Sequence, residues 1–429
     1  MVNVERLGET RWSGKTTWMF ISFALGLALE SYVFSLASIA VYWIPNLPKS
    51  LGELVLAWAP IWLIIGIIIA GPFSDRYGRK ITLYLTLLLY AIGGILLFFA
   101  SSYGLMLFAL ALMLMAGGGE MNSIMVASHE LMPRKHRGKA TMMIINGINF
   151  GGLVLALLAL GSVNANERSV VAIAALIVVA ILFLTRVSMP ESVLWLHKRG
   201  RTAEAQKVAE GYYGANWESQ VDFTPAPPKA TSEVSKVSVG FTMLIMILIA
   251  AANTIGFGLM AYALAFAFFP HLQPIILAIF EGVGFVVGFV GLIADRVSRK
   301  KLLFWTMLGT FVVTVIIGLT TGVWQHNMTL FWILLVILAG VNSLQYLTED
   351  TVKAEVWPTL QRGTLTAVAR FVSIALYIPT IYFTATMSPS NYILFNAAVW
   401  FVGLVAATAW LIKGRETGLG LSIQTASGE

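Results

Sequence analysis

Apolar residues in this chain come in long unbroken blocks, with neither the strict alternation of a half-buried strand nor the narrow stripe of a surface helix. The first block runs from Trp18 to Ile44, and others lie near 54–74, 81–100, 104–128, 140–161 and 169–188. After a polar stretch the pattern resumes at 239–268, 275–294, 302–322, 329–350, 364–386 and 391–412. Each block is long enough to cross a hydrocarbon layer as a helix, which takes about 20 residues. Helices are required because backbone amides find no water to bond inside the layer. The pattern predicts an all-α membrane protein with twelve transmembrane helices in two six-helix bundles. It divides into an N-terminal bundle at 1–189, a cytoplasmic linker at 190–238, and a C-terminal bundle with a short cytoplasmic tail at 239–429. Within the linker, Pro225, Pro227 and Pro228 break structure, whereas Thr202 to Tyr213 has the composition of a short surface helix.

Composition sharpens this picture. Hydrophobic residues make up 58% of the 429 positions and charged ones 11%, against about 25% charged in a soluble domain. So few charges cannot coat a soluble enzyme of this size. The net charge of +7 reads as a topology signal and not as a nucleic-acid footprint, because the basic residues fall on alternate loops. One side holds the amino-terminal arm, Arg76/Arg79/Lys80, Arg134/Lys135/Arg137/Lys139, Lys198/Arg199/Arg201, Arg296/Arg299/Lys300/Lys301, Lys353/Arg362 and Lys413/Arg415; the other holds Lys49 and Arg168. Both termini are therefore expected in the cytoplasm, and the polar start reads as an arm before a retained span, not as a signal peptide. The absence of cysteine excludes disulfides, thiolate metal sites and a cysteine nucleophile.

The halves repeat each other. Gly71, Asp75, Arg76, Gly78, Arg79 and Lys80 close the second block, and Gly291, Asp295, Arg296, Ser298, Arg299 and Lys300 close the eighth, 220 residues later. Glu130, Pro133, Arg137 and Gly138 follow the fourth block as Glu355, Pro358, Arg362 and Gly363 follow the tenth, 225 residues later. A duplicated six-helix unit explains both matches.

With these motifs the chain resembles the major facilitator superfamily, whose GxxxDRxGRK loop stands complete at Gly71 to Lys80 and degraded at Gly291 to Lys300. Pro190, Glu191, Ser192, Trp195 and Leu196 resemble the signature that follows the sixth span of sugar porters and related metabolite:proton symporters, and Gly117 to Glu120 resembles the GGE of the metabolite branch. The chain departs from sugar porters at Leu110, where they carry arginine, and at Ala251 to Gly256, which lacks their paired hexose-binding glutamines. The resemblance implies two pseudo-symmetric bundles and alternating access. It also implies a role for the loop residues. Gly71 would allow close helix approach, and Asp75 would complement the N-terminus of a neighbouring helix, by resemblance the eleventh. Arg76 and Arg79 would pair with Glu130 and Glu191, and Asp295, Arg296 and Arg299 would face Glu355. Together with Arg137 and Arg362 these charges form a cytoplasmic gate that latches the outward-facing state; read without the repeat, they are solvated topology charges.

Charges inside the blocks are the candidate chemistry. Glu30 lies about 18 Å past Trp18 at 1.5 Å per residue, where an ionised carboxylate needs a partner, water or a proton. Its placement resembles the acidic residue that carries the proton in sugar porters and related symporters; the alternative is a permanently protonated or helix-bonded side chain. Glu120 is the second acid of the coupling group. Arg370 either neutralises one of them, holds a substrate carboxylate, or stretches to the surface. Glu281 suits substrate contact or an outer gate, while Glu349 and Asp350 are expected near water at the inner end of the tenth span. Asn146, Asn149, Asn253, Asn342 and Gln345 are candidates for substrate binding or for interhelical bonding, with Tyr377 as an aromatic wall. Asn146 and Asn149 share a helical face.

These residues point to a secondary transporter, most simply a proton-coupled symporter of a small organic metabolite. An organic acid would suit Arg370, and a cation would suit the surplus of Glu30, Glu120 and Glu281; the branch resemblance leans to the acid. The competing readings are a proton-driven exporter of organic cations or drugs, a sugar porter, and a transporter-like membrane sensor. No nucleophile, base and orienter cluster suggests an enzyme. The expected partners are a small-molecule substrate, protons and the lipid bilayer, with no nucleic acid, no cofactor and no metal, in a monomer resident in the cell membrane.

Overall fold

The computed structural model describes residues 2–3, 12–133, 136–162, 166–213, 222–223, 237–357 and 362–418. Twelve helices in it are long and apolar enough to cross a membrane: Gly14–Ala40, Lys49–Tyr77, Arg79–Phe99, Tyr103–Ser128, Gly138–Gly161, Glu167–Val187, Val239–Phe268, Pro270–Ile293, Arg299–Leu319, Thr329–Glu355, Thr364–Thr384 and Pro389–Lys413. They are called the first to twelfth spans. Their starts are written in the sequence: Ser13, Ser102, Asn166, Ser238, Ser298 and Ser388 each accept a backbone N–H from the first turn of the helix they open. Outside the spans, short helices cover Val193–Lys198 and Thr202–Tyr213, the latter where composition suggested one. Val2–Asn3 and Asp222–Phe223 pair as two-residue strands.

Two regular spans are interrupted. The seventh carries a π-helical turn at Leu259–Ala263, and the eighth ends in a 3-10 stretch, Phe289–Arg296. Ile68, Phe108, Leu184, Val286, Leu319 and Ile412 are among many large apolar side chains left exposed. On so wide a scale this marks a lipid-facing surface.

In the first half the first span packs on the fourth and fifth, and the second and third pack on the fourth; in the second half the ninth packs on the tenth and twelfth, and the seventh on the eleventh and twelfth. The halves meet where the eighth span lies on the fifth and the eleventh on the second. Gly284 and Gly288 make the first of these seams possible, because a side chain at either would strike Asn149 or Asn146. At the end away from the basic loops, Lys49 Nζ donates to the Ala385 carbonyl at 2.5 Å, Gln273 Nε2 to Ser38 Oγ at 3.1 Å, and Ser35 Oγ to Tyr262 Oη at 3.4 Å. Side chains of both halves thus bond across that end.

Candidate functional site

Between the halves lies a cavity of about 130 Å³ walled by the first, second, fourth, fifth, seventh, eighth, tenth and eleventh spans. Six ionisable acids and bases line it: Glu30, Glu281, Glu349, Asp350, Lys353 and Arg370. Four of them neutralise one another. Lys353 Nζ bridges Glu349 Oε1 at 2.9 Å and Asp350 Oδ1 at 2.8 Å, and Arg370 Nη2 donates to the same Asp350 oxygen. All four side chains are buried. This corrects two expectations. Glu349 and Asp350 are not at a wet helix end, and Lys353 is not a loop charge, because the tenth span runs on to Glu355 and carries all three inside the bundle. Nor is Arg370 stretched to the surface: it is buried on the cavity wall and paired with Asp350.

That leaves Glu30 and Glu281 without a cationic partner among the described residues. Glu30 is 5% exposed and faces the cavity, and the charges acting on it are Arg370, Asp350 and Glu120. Glu281 accepts a bond from Tyr262 Oη at 3.4 Å through Oε1, while its Oε2 has no partner. Glu281 therefore belongs to the central cavity, within reach of a bound solute.

Glu120 takes no part in that wall. Arg186 of the sixth span forms an ion pair with it and also reaches its Oε2 at 3.2 Å, and Thr86 Oγ1 donates to Oε2 at 2.5 Å. Both members are 1% exposed or less. Gly26 of the first span makes room, since a side chain there would meet the pair. Arg186 was not singled out in the sequence, where it stands at the end of an apolar block like any interfacial arginine.

The polar candidates divide. Asn149, Asn253, Asn342 and Tyr377 line the cavity; Asn146 and Gln345 do not. Asn146 Nδ2 donates to the Phe285 carbonyl at 3.1 Å and its Oδ1 accepts from Asn149 Nδ2 at 2.9 Å, which makes this pair a clasp between the fifth and eighth spans. Asn342 donates to Asn253 at 3.4 Å, and Asn253 to Glu349 at 3.4 Å. Gln345 is fully buried with both polar side-chain atoms unpartnered.

At the basic end the loop motifs make some of the expected bonds and some others. Glu191 accepts the backbone N–H groups of Arg79 at 3.0 Å and Lys80 at 3.1 Å, so it caps the third span. Gly78 between them has φ 101°, and a side chain on it would run into Glu191. Asp75 pairs with Arg79 at 3.1 Å, and its side chain is 75% exposed. Arg76 is exposed and stacks on Tyr77 at 5.4 Å. Gly71 is not a close-approach point, its nearest neighbour being Asn122 at 3.7 Å; Gly66 and Gly118 bring the second and fourth spans together. In the second half Arg299 grips Glu355 with two bonds of 2.9 and 3.1 Å, as expected, and Arg296 is exposed. Glu416, which no sequence motif marks, accepts from Arg299 N at 2.9 Å and Ser298 Oγ at 2.5 Å. It lies 225 residues after Glu191, the offset that also relates Glu130 to Glu355. The side chains of Glu130, Arg137, Asp295 and Arg362 fall outside the described residues.

Comparisons with known proteins agree with this architecture. Solved structures of the proton:xylose symporter XylE superpose with a TM-score of 0.75 at 18% identity, over 96% of this chain and 98% of that one for the complex with 6-bromo-6-deoxy-D-glucose. The partially occluded inward-open form of XylE from E. coli gives 0.76 at 17% identity, over 94% and 99%. Among curated relatives, the "Probable metabolite transport protein CsbC" of Bacillus subtilis (strain 168) is 30% identical over 193 residues, 43% of this chain and 41% of that protein. The proton myo-inositol cotransporter hmit-1.2 of Caenorhabditis elegans is 28% identical over 207 residues, 45% and 33%. The chain thus matches less than half the length of either curated relative. These relatives are transport proteins and not enzymes. The family model described as Major Facilitator Superfamily matches residues 16–378, and the chain belongs to that family.

Proposed function

We propose that the protein couples inward movement of a small organic metabolite to inward movement of protons across the cell membrane by alternating access, with both termini in the cytoplasm. The observation that carries this reading is the charge balance of the cavity: four groups cancel, and two acids, Glu30 and Glu281, stand in the same buried space with no cation paired to them among the described residues. A carboxylate without a partner in such a place is stable only when protonated, hydrated or bound to a ligand. Glu30 faces the cavity at mid-membrane and suits the proton carrier. It takes a proton when the cavity opens outward, solute then binds, the halves rock, and both leave inward.

Bonds between the halves at the end away from the basic loops, together with an exposed Asp75, support a cytoplasm-facing conformation in which the basic gate is released. In the outward-facing state the pairs that stand here within each half, Asp75 with Arg79 and Arg299 with Glu355, would also engage the opposite half. The lean toward an organic acid rested on the branch resemblance, and the pairing of Arg370 with Asp350 weakens the fit of an acid to that arginine. One chain supplies every wall of the cavity, which favours a monomer as the transporting unit.

Reconstitution tests the reading. In proteoliposomes with an inward-directed proton gradient, a panel of labelled metabolites should include one that accumulates above its equilibrium level and stops when a protonophore collapses the gradient. Accumulation unaffected by the protonophore would overturn proton coupling, and absence of counterflow for any solute would favour a sensor.

A further inference from the structure

The fully buried side-chain atoms left without a hydrogen-bond partner on the cavity wall are all oxygens. Glu281 Oε2, Asn342 Oδ1 and Asp350 Oδ2 are buried on it without partners, and all three accept hydrogen bonds and cannot donate when the acids are ionised; Ser31 Oγ, also unpartnered, can accept as well. The amides on the same wall each give one N–H to a protein acceptor, Asn149 to Asn146, Asn253 to Glu349 and Asn342 to Asn253. Glu281 is 1% exposed, so water at the surface does not satisfy it. Beside it, Tyr262 stands edge-on to Phe34 and Phe257 with ring centroids 5.4 Å apart in each case. All three rings line the cavity, and a cation over such faces is attracted by their quadrupoles.

A ligand completing this site must bring positive charge and N–H donors. At Glu281 a carboxylate would meet an uncompensated acid, while Arg370 and Lys353 are already paired with Asp350 and Glu349; a neutral polyol would supply donors and leave the acid without a counter-charge. We propose that the transported solute is a small organic cation bearing N–H groups, an ammonium or guanidinium compound, held by Glu281 with Asn342 and the rings of Tyr262, Phe257 and Phe34. This assignment rests on the cavity being the solute site of the transporter proposed above. Glu281 then reads the solute while Glu30 carries the proton, which gives the two unpaired acids separate tasks.

The test is binding, not transport. The whole chain, purified in detergent, is melted in the presence of butylguanidinium, phenethylammonium, tetramethylammonium, xylose or benzoate. The first two should raise the melting temperature in a saturable way, tetramethylammonium should do so less for want of N–H donors, and xylose and benzoate should leave it unchanged. Glu281→Gln should weaken the apparent affinity for the two N–H cations by about tenfold or more while melting normally without ligand. Should that variant fail to fold, the order of the probes on the unaltered protein still decides. Stabilisation by xylose or benzoate equal to that by the cations, or none by either N–H cation, overturns the proposal. The transport reading fails separately: cations that bind but move no protons in vesicles retire it and leave this assignment standing, whereas proton-driven accumulation of xylose or benzoate does the reverse.

Discussion

The two halves treat buried charge in opposite ways. The first half seals Glu120 against Arg186 away from the cavity, with Thr86 as a third partner. The residue 225 positions after Glu120 is Gln345, which is neutral, and the second half instead places Glu349, Asp350, Lys353 and Arg370 on the cavity wall. A duplicated scaffold has thus kept its loop bonds at both ends while diverging at its centre. The first half holds a fixed strut; the second presents an ion cluster to whatever enters, which is where a change of ligand or protonation can act on the equilibrium between states.

The difference can be broken from either side. Removing one member of a sealed pair strands a charge, so Arg186→Leu should lower stability by about 3–5 kcal/mol, read as a large drop in melting temperature. Glu120→Leu made together with Arg186→Leu should recover most of it, because apolar replacement of both partners removes the desolvation cost. In the open cluster the weight shifts from stability to transport: Asp350→Asn should cut transport at least about tenfold, since it frees Arg370 and leaves Lys353 with Glu349 alone, with a smaller fall in melting temperature because ions on a cavity wall can draw in water. Equal losses of stability for Arg186→Leu and Asp350→Asn would erase the distinction between the halves.

The loops test the part that was kept. Glu191 and Glu416 cap equivalent helices, but Gly78 at φ 101° faces the first and Ser298 at φ −65° the second. Gly78→Ala should therefore cost about 1–3 kcal/mol through backbone strain, and Ser298→Ala about 0.5–2 kcal/mol through a lost cap. The smallest effect is a pH dependence. Burial pushes the Glu416 carboxyl up, but the Ser298 hydroxyl and the backbone N–H groups of Gly418, Arg299 and Thr417 together outweigh it and hold the group below the ordinary carboxylate range. A carboxyl lowered by folding stabilises the fold above its unfolded pKa and loses that contribution as pH falls through the folded one. Glu416→Gln should accordingly melt lower than the unaltered protein at neutral pH, with the gap narrowing as the solution is acidified.

Much of the architecture was legible because hydrocarbon imposes long apolar blocks and positive charge marks one side. The repeat exposed Arg299 with Glu355, and depth along the first block found Glu30. What stayed hidden depended on which way a helix faces or how far it continues. Arg186 was indistinguishable in linear sequence from an interfacial arginine. Glu349, Asp350 and Lys353 were assigned to the helix end because the apolar block stops at 350, although the helix continues for another turn. Asn146 and Asn149 do share a face, yet that face clasps the eighth span, with Asn149 alone reaching the cavity wall. Glu416 follows the last apolar block, where no periodicity distinguishes it; its offset from Glu191 was the available signal.

The most direct test of proton carriage at Glu30 is solute accumulation by Glu30→Gln in proteoliposomes under an imposed pH gradient, measured beside solute exchange without one. The account predicts that accumulation disappears while exchange persists, since the amide still permits the halves to rock but cannot gain or lose a proton. Accumulation equal to that of the unaltered protein would contradict it.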